Sequence, residues 1–248
     1  MKRKEFLRGL GLIGIGSLAI PIINSCSTDD NSSDSSTNTD SSSGSGSSSG
    51  DCSVTPSETA GPFPTITPSS LVKSDITMDR TGVAFTIKII IKNTNASCAV
   101  LKDAIVDIWH CDKDGYYSEY GGTSMQSVNY TTVHFLRGRQ TTDANGLVTF
   151  TSIFPGWYSG RATHIHVHIY NASGTSLLVT QIAFPEGTNS AVALVNASSA
   201  NGYTKGMSGY TYNSSDNVFS DSVANELAAI TGSVSEGFVL THTINVAG

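Results

Sequence analysis

Residues Pro155–His168 read PGWYSGRATHIHVH, and the second half of that stretch decides the kind of fold the chain can adopt. On an extended strand His164, His166 and His168 share one face, while Thr163, Ile165, Val167 and Ile169 share the other. Such a strand buries its apolar face in a core and turns three imidazoles the other way. Neutral imidazoles one strand step apart are a common way to hold a metal. Pro155-Gly156 supplies a turn into the stretch, and Tyr158 and Arg161 add a phenol and a guanidinium beside the imidazoles. On residue types alone, a polar strand face with incidental histidines competes with the metal reading.

The same alternation recurs on either side. Val83–Lys92 puts Val83, Phe85, Ile87, Ile89 and Ile91 inward and Lys88 and Lys92 outward. Further strands are expected at Ala104–Cys111, Leu147–Phe154, Leu177–Phe184 and Phe238–Val246, with irregular loops between them. Asp143-Ala144-Asn145-Gly146 carries hairpin-turn chemistry after Phe135–Gly138, and Ser222–Ile230 suggests one short helix. Short strands at these intervals, with no internal repeat, predict an all-β domain: an antiparallel β-sandwich with long irregular loops.

The first fifty or so residues read differently. Lys2, Arg3, Lys4 and Arg8 precede the apolar run Leu10–Ile23, which is too short to span a membrane and matches a signal-peptide core. It ends at Ile23-Asn24-Ser25-Cys26, which resembles a bacterial lipoprotein processing site. Residues 1–25 are therefore expected to be a signal peptide, with Cys26 the lipid-bearing residue. The product would be exported and anchored to the bacterial cell envelope, at the outer membrane or cell surface. An ordinary cleaved secretory signal is the alternative. The Arg3-Lys4…Arg8 start also resembles a twin-arginine export signal with one arginine of the pair replaced. Residues 26–51 are nearly all Ser, Thr, Asp, Asn and Gly and cannot offset their ordering entropy, so a flexible tether is expected. The folded domain is then 52–248.

Ten of the fourteen Lys and Arg and fourteen of the twenty Asp and Glu fall from Cys52 onward, a net charge of −4. Nothing in that balance suggests a nucleic-acid binder, which would call for a basic patch. Beyond Cys26, Cys98 and Cys111 flank a strand too long for a bridge between them, so a disulfide would use Cys52, with Cys111 the preferred partner.

Four separated segments resemble the intradiol ring-cleavage dioxygenases, which include catechol 1,2-dioxygenases and protocatechuate 3,4-dioxygenases. They are Thr55-Pro56-Ser57-Glu58-Thr59-Ala60-Gly61-Pro62-Phe63, Trp109-His110 with Gly115 and Tyr117-Ser118, Leu136-Arg137-Gly138-Arg139 with Thr142-Asp143 and Gly146, and Pro155–His166. The resemblance implies one Fe(III) per domain, held by Tyr117, Tyr158, His164 and His166. Phenolate is a hard anionic donor suited to the ferric state. It implies that Arg161 stabilises charge on the substrate ring, that Tyr158 exchanges with substrate and takes up a proton, and that Gln181 orients an oxygenated intermediate. It also implies that Thr55, Pro56, Gly61 and Pro62 line the substrate mouth together with Arg161. The substrates would be a small aromatic diol and O2, and the product a cis,cis-muconate-type diacid. Tyr116 rivals Tyr117 by position, and the spacing from Trp109 favours Tyr117. His168 falls outside the ligand pattern, and His110 is expected to pack or hydrogen-bond. A binding module without turnover, or a zinc site from His164, His166 and His168, are the readings from other classes. The N-terminal helical region of catechol 1,2-dioxygenases has no counterpart here, so oligomeric state does not transfer.

Overall fold

The computed structural model describes residues 52–248. The expected signal peptide, tether and lipid-bearing Cys26 lie outside the described residues. Among the described residues no helix is long and apolar enough to cross a membrane.

Two sheets pack face to face, as expected for an all-β sandwich. The strands are β1 (Ala84–Asn93), β2 (Ala99–Val100), β3 (Ile105–Trp109), β4 (Arg137–Thr141), β5 (Leu147–Ile153), β6 (His164–Tyr170), β7 (Ser176–Ala183), β8 (Ala229–Ser233) and β9 (Gly237–Val246). One sheet runs β4-β3-β6-β7, all antiparallel. The other runs β2-β1-β9-β8, with β5 also paired to β1. Within it β1 and β9, the first and last strands, pair in parallel from Phe85–Phe238 to Asn93–Val246.

The alternation in β1 does what its spacing predicts. Phe85, Ile87, Ile89 and Ile91 are buried and join Val106, Ile108, Ile165, Val167 and Ile169 of the opposite sheet in one core. Phe154 sits among Phe85, Phe184 and Phe238 at centroid distances of 5.1, 5.4 and 5.5 Å. Burying each such side chain contributes about 1.5–3 kcal/mol, so this shared layer holds the sandwich together.

Three expectations are corrected. The Asp143–Gly146 turn forms, with Gly146 N–H donating to the Asp143 carbonyl at 3.0 Å, but β4 and β5 belong to opposite sheets. The turn is therefore a crossing between sheets and makes no hairpin. Ser222–Ile230 is not helical: Asn225 takes a left-handed φ of 62°, and Ala229 onward pairs with β9. A ladder along β9 satisfies more backbone than an isolated helical turn, and the helix that forms is α1 (Ala191–Asn196), capped by Ser190. Cys52 bonds to Cys98, with Cα atoms 5.8 Å apart, and Cys111 is a buried free thiol. Thr55 N–H donates to Asn245 O on β9, which carries the segment from Cys52 past the loop after β1. Cys111 instead packs with Phe63, Trp109 and Tyr117.

Candidate metal centre and substrate cavity

On the outer face of the four-stranded sheet, one row of cross-strand neighbours reads Arg137, Trp109, His166 and Gln181. The next step along β6 brings His164 to the same face. These residues do not face water, because the segments around Gly61, Asp112–Tyr120, Pro155–Thr163 and Asp216–Phe219 cover them.

Each loop is pinned by its own chemistry. The Asp112–Tyr120 loop is clamped by Gln126, whose side chain accepts from Tyr117 N–H at 2.7 Å and donates to Tyr117 O at 2.7 Å. Arg137, fully buried, donates to Ser118 O at 2.6 Å, to Ser118 Oγ at 2.9 Å and to Phe63 O at 2.9 Å. Its charge faces Glu119 at 3.6 Å, and a buried guanidinium needs that partner. The Pro155–Thr163 loop is held by Trp157 Nε1 donating to Gly206 O at 3.0 Å and by Thr163 N–H donating to the Tyr210 hydroxyl at 3.0 Å. Gly61 closes the third side. It has φ +69°, and a Cβ there would lie 2.8 Å from the His166 ring, so glycine is required for this approach.

The result is a convergence of donors. His164 Nε2 lies 3.1 Å from His166 Nε2 and 3.2 Å from the Tyr117 hydroxyl. The Tyr158 ring is 5.8 Å from Tyr117 and 5.7 Å from His164, and its buried hydroxyl has no hydrogen-bond partner. His164 Nδ1 is 2.6 Å from the Ala162 carbonyl, an acceptor, so the proton sits there and Nε2 presents its lone pair to the cluster. Trp109 stacks on His166 at 5.0 Å, nearly parallel, and fixes that ring.

Burial sets the protonation states. It pulls His164 down to about 3 with help from Arg161, and His166 well below its ordinary value with help from His164. Both imidazoles are therefore neutral, the form that ligates metal. Burial also holds the phenols of Tyr117 and Tyr158 above their ordinary value, in Tyr117 with a further push from Tyr158. Two neutral nitrogen donors and two phenols that only a cation would ionise make a set that fits a trivalent, oxygen-loving metal.

Arg161 stands beside the cluster, its Nε donating to Asp216 at 2.8 Å and its Nη2 to Gln181 Oε1 at 2.6 Å. Gln181 passes the restraint on, donating to Thr59 O at 2.8 Å. Asp216 also accepts from the Ala162, Val218 and Phe219 amides. Burial works to raise its carboxyl, and the Ala162 amide and Arg161 outweigh that and keep it below its usual range. A cavity of about 390 Å³ opens against Tyr158 and Arg161, with Thr59, Gly61 and Pro62 on one side and Met125 and Asn217 on the other.

The structure thus brings together Tyr117, Tyr158, His164, His166, Arg161 and Gln181. Tyr116 points elsewhere, its ring 6.3 Å from Tyr130. Thr55 and Pro56 do not line the cavity. Thr55 ties to Asn245, and Pro56 O accepts from Thr180 Oγ1 at 2.8 Å, so both hold the segment that carries Gly61 and Pro62. His110 bridges the sheets, with Nε2 2.8 Å from Ser152 Oγ. His168 is taken up by Ser176 and Tyr170, both at 2.8 Å. Engaged in this way, His168 stands apart from the His164 and His166 Nε2 pair, against a three-histidine zinc site. Sequence reasoning missed Asp216, Gln126 and the stacking role of Trp109. Asp216 sits in an unpatterned loop far from Arg161 in sequence, and Trp109 was visible only as a motif residue.

Comparison with known proteins agrees. A family model described as dioxygenase matches residues 64–208. An intradiol ring-cleavage dioxygenase from Tetranychus urticae superposes with a TM-score of 0.68 at 29% identity, covering 79% of this chain and 95% of that one. The dioxygenase domain of a dioxygenase and carbohydrate-binding protein fusion from the cellulolytic bacterium Streptomyces sp. SirexAA-E gives 0.56 at 24% identity, covering 78% and 97%. The fold is also shared with hydroxyquinol 1,2-dioxygenase from Pseudomonas putida DLL-E4, at 0.53 and 14% identity over 78% and 66% of the two chains. No curated protein matches.

Proposed function

Because the chain belongs to the intradiol ring-cleavage dioxygenase family, an oxidoreductase family, we propose that it opens catechol-type rings between the two hydroxylated carbons, using O2 and one ferric ion. Both oxygen atoms enter the product, a cis,cis-muconate-type diacid. The observation that carries this reading is the convergence of two imidazole Nε2 atoms and the Tyr117 hydroxyl, with the unpartnered Tyr158 hydroxyl at the cavity wall.

His164, His166, Tyr117 and Tyr158 would hold the iron. Ferric iron bound there supplies Lewis acidity that draws electron density from a catecholate and makes its ring carbon reactive toward oxygen. The protein's own groups do the rest. Tyr158 borders the cavity beside Arg161, so as a phenolate it takes a proton from an entering substrate hydroxyl. Arg161 is locked by Asp216 and Gln181, which keeps a cation beside the ring where negative charge develops and costs no reorganisation during the reaction. Trp109, Phe63 and the Asp112–Tyr120 loop exclude water from the donors.

The test is optical and chemical. Protein loaded with ferric iron should show a visible tyrosinate charge-transfer band, an anaerobic catechol should shift it, and air should then yield the diacid. A colourless protein that retains zinc in preference to iron would overturn the reading. The lipid anchor on Cys26 and a place on the cell envelope are proposed with it, supported by the Leu10–Cys26 pattern.

A further inference from the structure

The cavity is larger and less charged than a bare or carboxylated catechol calls for. Its volume of about 390 Å³ falls in the range of roughly 300–1,000 Å³ that holds drug-sized ligands, well beyond one ring with two hydroxyls. The catalytic groups occupy one end, at Tyr158 and Arg161. The other walls are Thr59, Gly61, Pro62, Met125, Ser159, Gly160 and Asn217, none of which carries a charge, although Thr59 and Ser159 add hydroxyls.

Gly160 contributes no side chain, and the place its Cβ would take has no atom within 4 Å. Met125 is 67% exposed and unbranched, so it can shape itself to an irregular apolar group. Among the described residues lining the cavity, Arg161 is the one cation, and its charge is offset by Asp216 at 2.8 Å. A ring carboxylate entering here would lose hydration without gaining a counter-charge, and the domain's net charge of −4 adds to the disadvantage. An alkyl or aryl substituent gains from the same walls.

From the walls and volume of this cavity we infer that the enzyme is built for catechols bearing a bulky uncharged ring substituent, seated between Pro62, Met125 and Asn217. This rests on the dioxygenase reading above. Met125 and Asn217 are the specificity-determining positions.

The experiment compares phenylcatechol, tert-butylcatechol, catechol and dihydroxybenzoate on the full chain. With ferric iron loaded, oxygen uptake should give phenylcatechol a kcat/KM about tenfold or more above dihydroxybenzoate, the scale on which a pocket separates substituents. Calorimetry on the metal-free chain should rank the dissociation constants in the same order. Met125→Lys, at an exposed position that folding does not depend on, should move the ratio about tenfold towards dihydroxybenzoate, and Asn217→Arg should do likewise. Efficient cleavage of dihydroxybenzoate with phenylcatechol excluded would overturn the inference and leave the dioxygenase reading intact. Tight binding of phenylcatechol with no cleavage of any catechol would support the cavity's preference and sink the dioxygenase reading.

Discussion

The two sheets share one alternating pattern and differ in what they do with the face turned from the core. On β1 that face carries Ala84, Thr86, Lys88, Ile90 and Lys92, half-buried or exposed, and no buried polar group on it needs a protein partner. On β6 the same face carries His164 and His166, buried under four loops, and protein must satisfy it. The second face costs desolvation of two imidazoles, two phenols, Arg137, Arg161 and Asp216, offset by the dense hydrogen bonding around Ser118, Gln126 and Asp216. The group left unpartnered beside the donors is informative: the Tyr158 hydroxyl lies where a ligand is wanted. A polar strand face becomes a site when it is covered, and the cover is where the sequence was spent.

The sharpest break in that comparison is Tyr117→Phe. It should lower iron retention and turnover by more than about 100-fold, beyond the 10–100-fold usual for groups that only support a ligand. Tyr116→Phe, one residue away and facing Tyr130, should leave both within about twofold. Absorbance at the tyrosinate band and oxygen uptake read both variants, and the reverse outcome would move the ligand to Tyr116. A middle-sized effect belongs to the shared core. Ile87→Ala should cost about 2–5 kcal/mol in urea unfolding while the folded fraction keeps its iron and its rate. Lost colour in the folded fraction would show that the five-stranded sheet is more than a support.

The smallest effect concerns a buried polar group with no loop to serve it. Glu226, just before β8, has neither carboxylate oxygen hydrogen-bonded, and burial, with Glu58 and Asp221 nearby, pushes its carboxyl up to about 8. The folded chain therefore keeps a proton that the unfolded chain has released between pH 4.5 and about 8. Stability falls as pH rises through that window, by at most about 1.4 kcal/mol per pH unit. Glu226→Gln should flatten the dependence, and urea midpoints at mildly acidic and mildly alkaline pH check it. An unchanged slope would mean that Glu226 ionises normally.

Much of this was legible in the residues, and the reasons are local. The period of two in Val83–Lys92 and Thr163–Tyr170 names the buried face wherever the strand pairs, so the core was readable. The cluster proposed to hold iron could be assembled from the sequence because three of its four members lie within nine residues of one another, at Tyr158, His164 and His166. What failed was partnership. Asp143–Gly146 signals a reversal of chain and says nothing about which sheet receives the next strand. Ser222–Ile230 suggested a short helix, yet the open edge of β9 overrides a weak propensity. The reach of a strand excluded a bridge between Cys98 and Cys111 and could not show that docking of Thr55 on β9 carries Cys52 to Cys98. Asp216 holds Arg161 across a loop with no periodic pattern, and only three dimensions make that pair.

The parallel pairing of β1 with β9 has a consequence for how the protein is made. The first strand finds its long partner only in the last ten residues of the ladder, Gly237–Val246, so the contact order of the domain is high. During synthesis β1 emerges with one edge and an apolar face waiting, and no length of chain short of nearly the whole domain can close the sandwich. Trimming the final strand would therefore arrest assembly at an aggregation-prone stage, although that strand contributes no residue to the proposed metal centre.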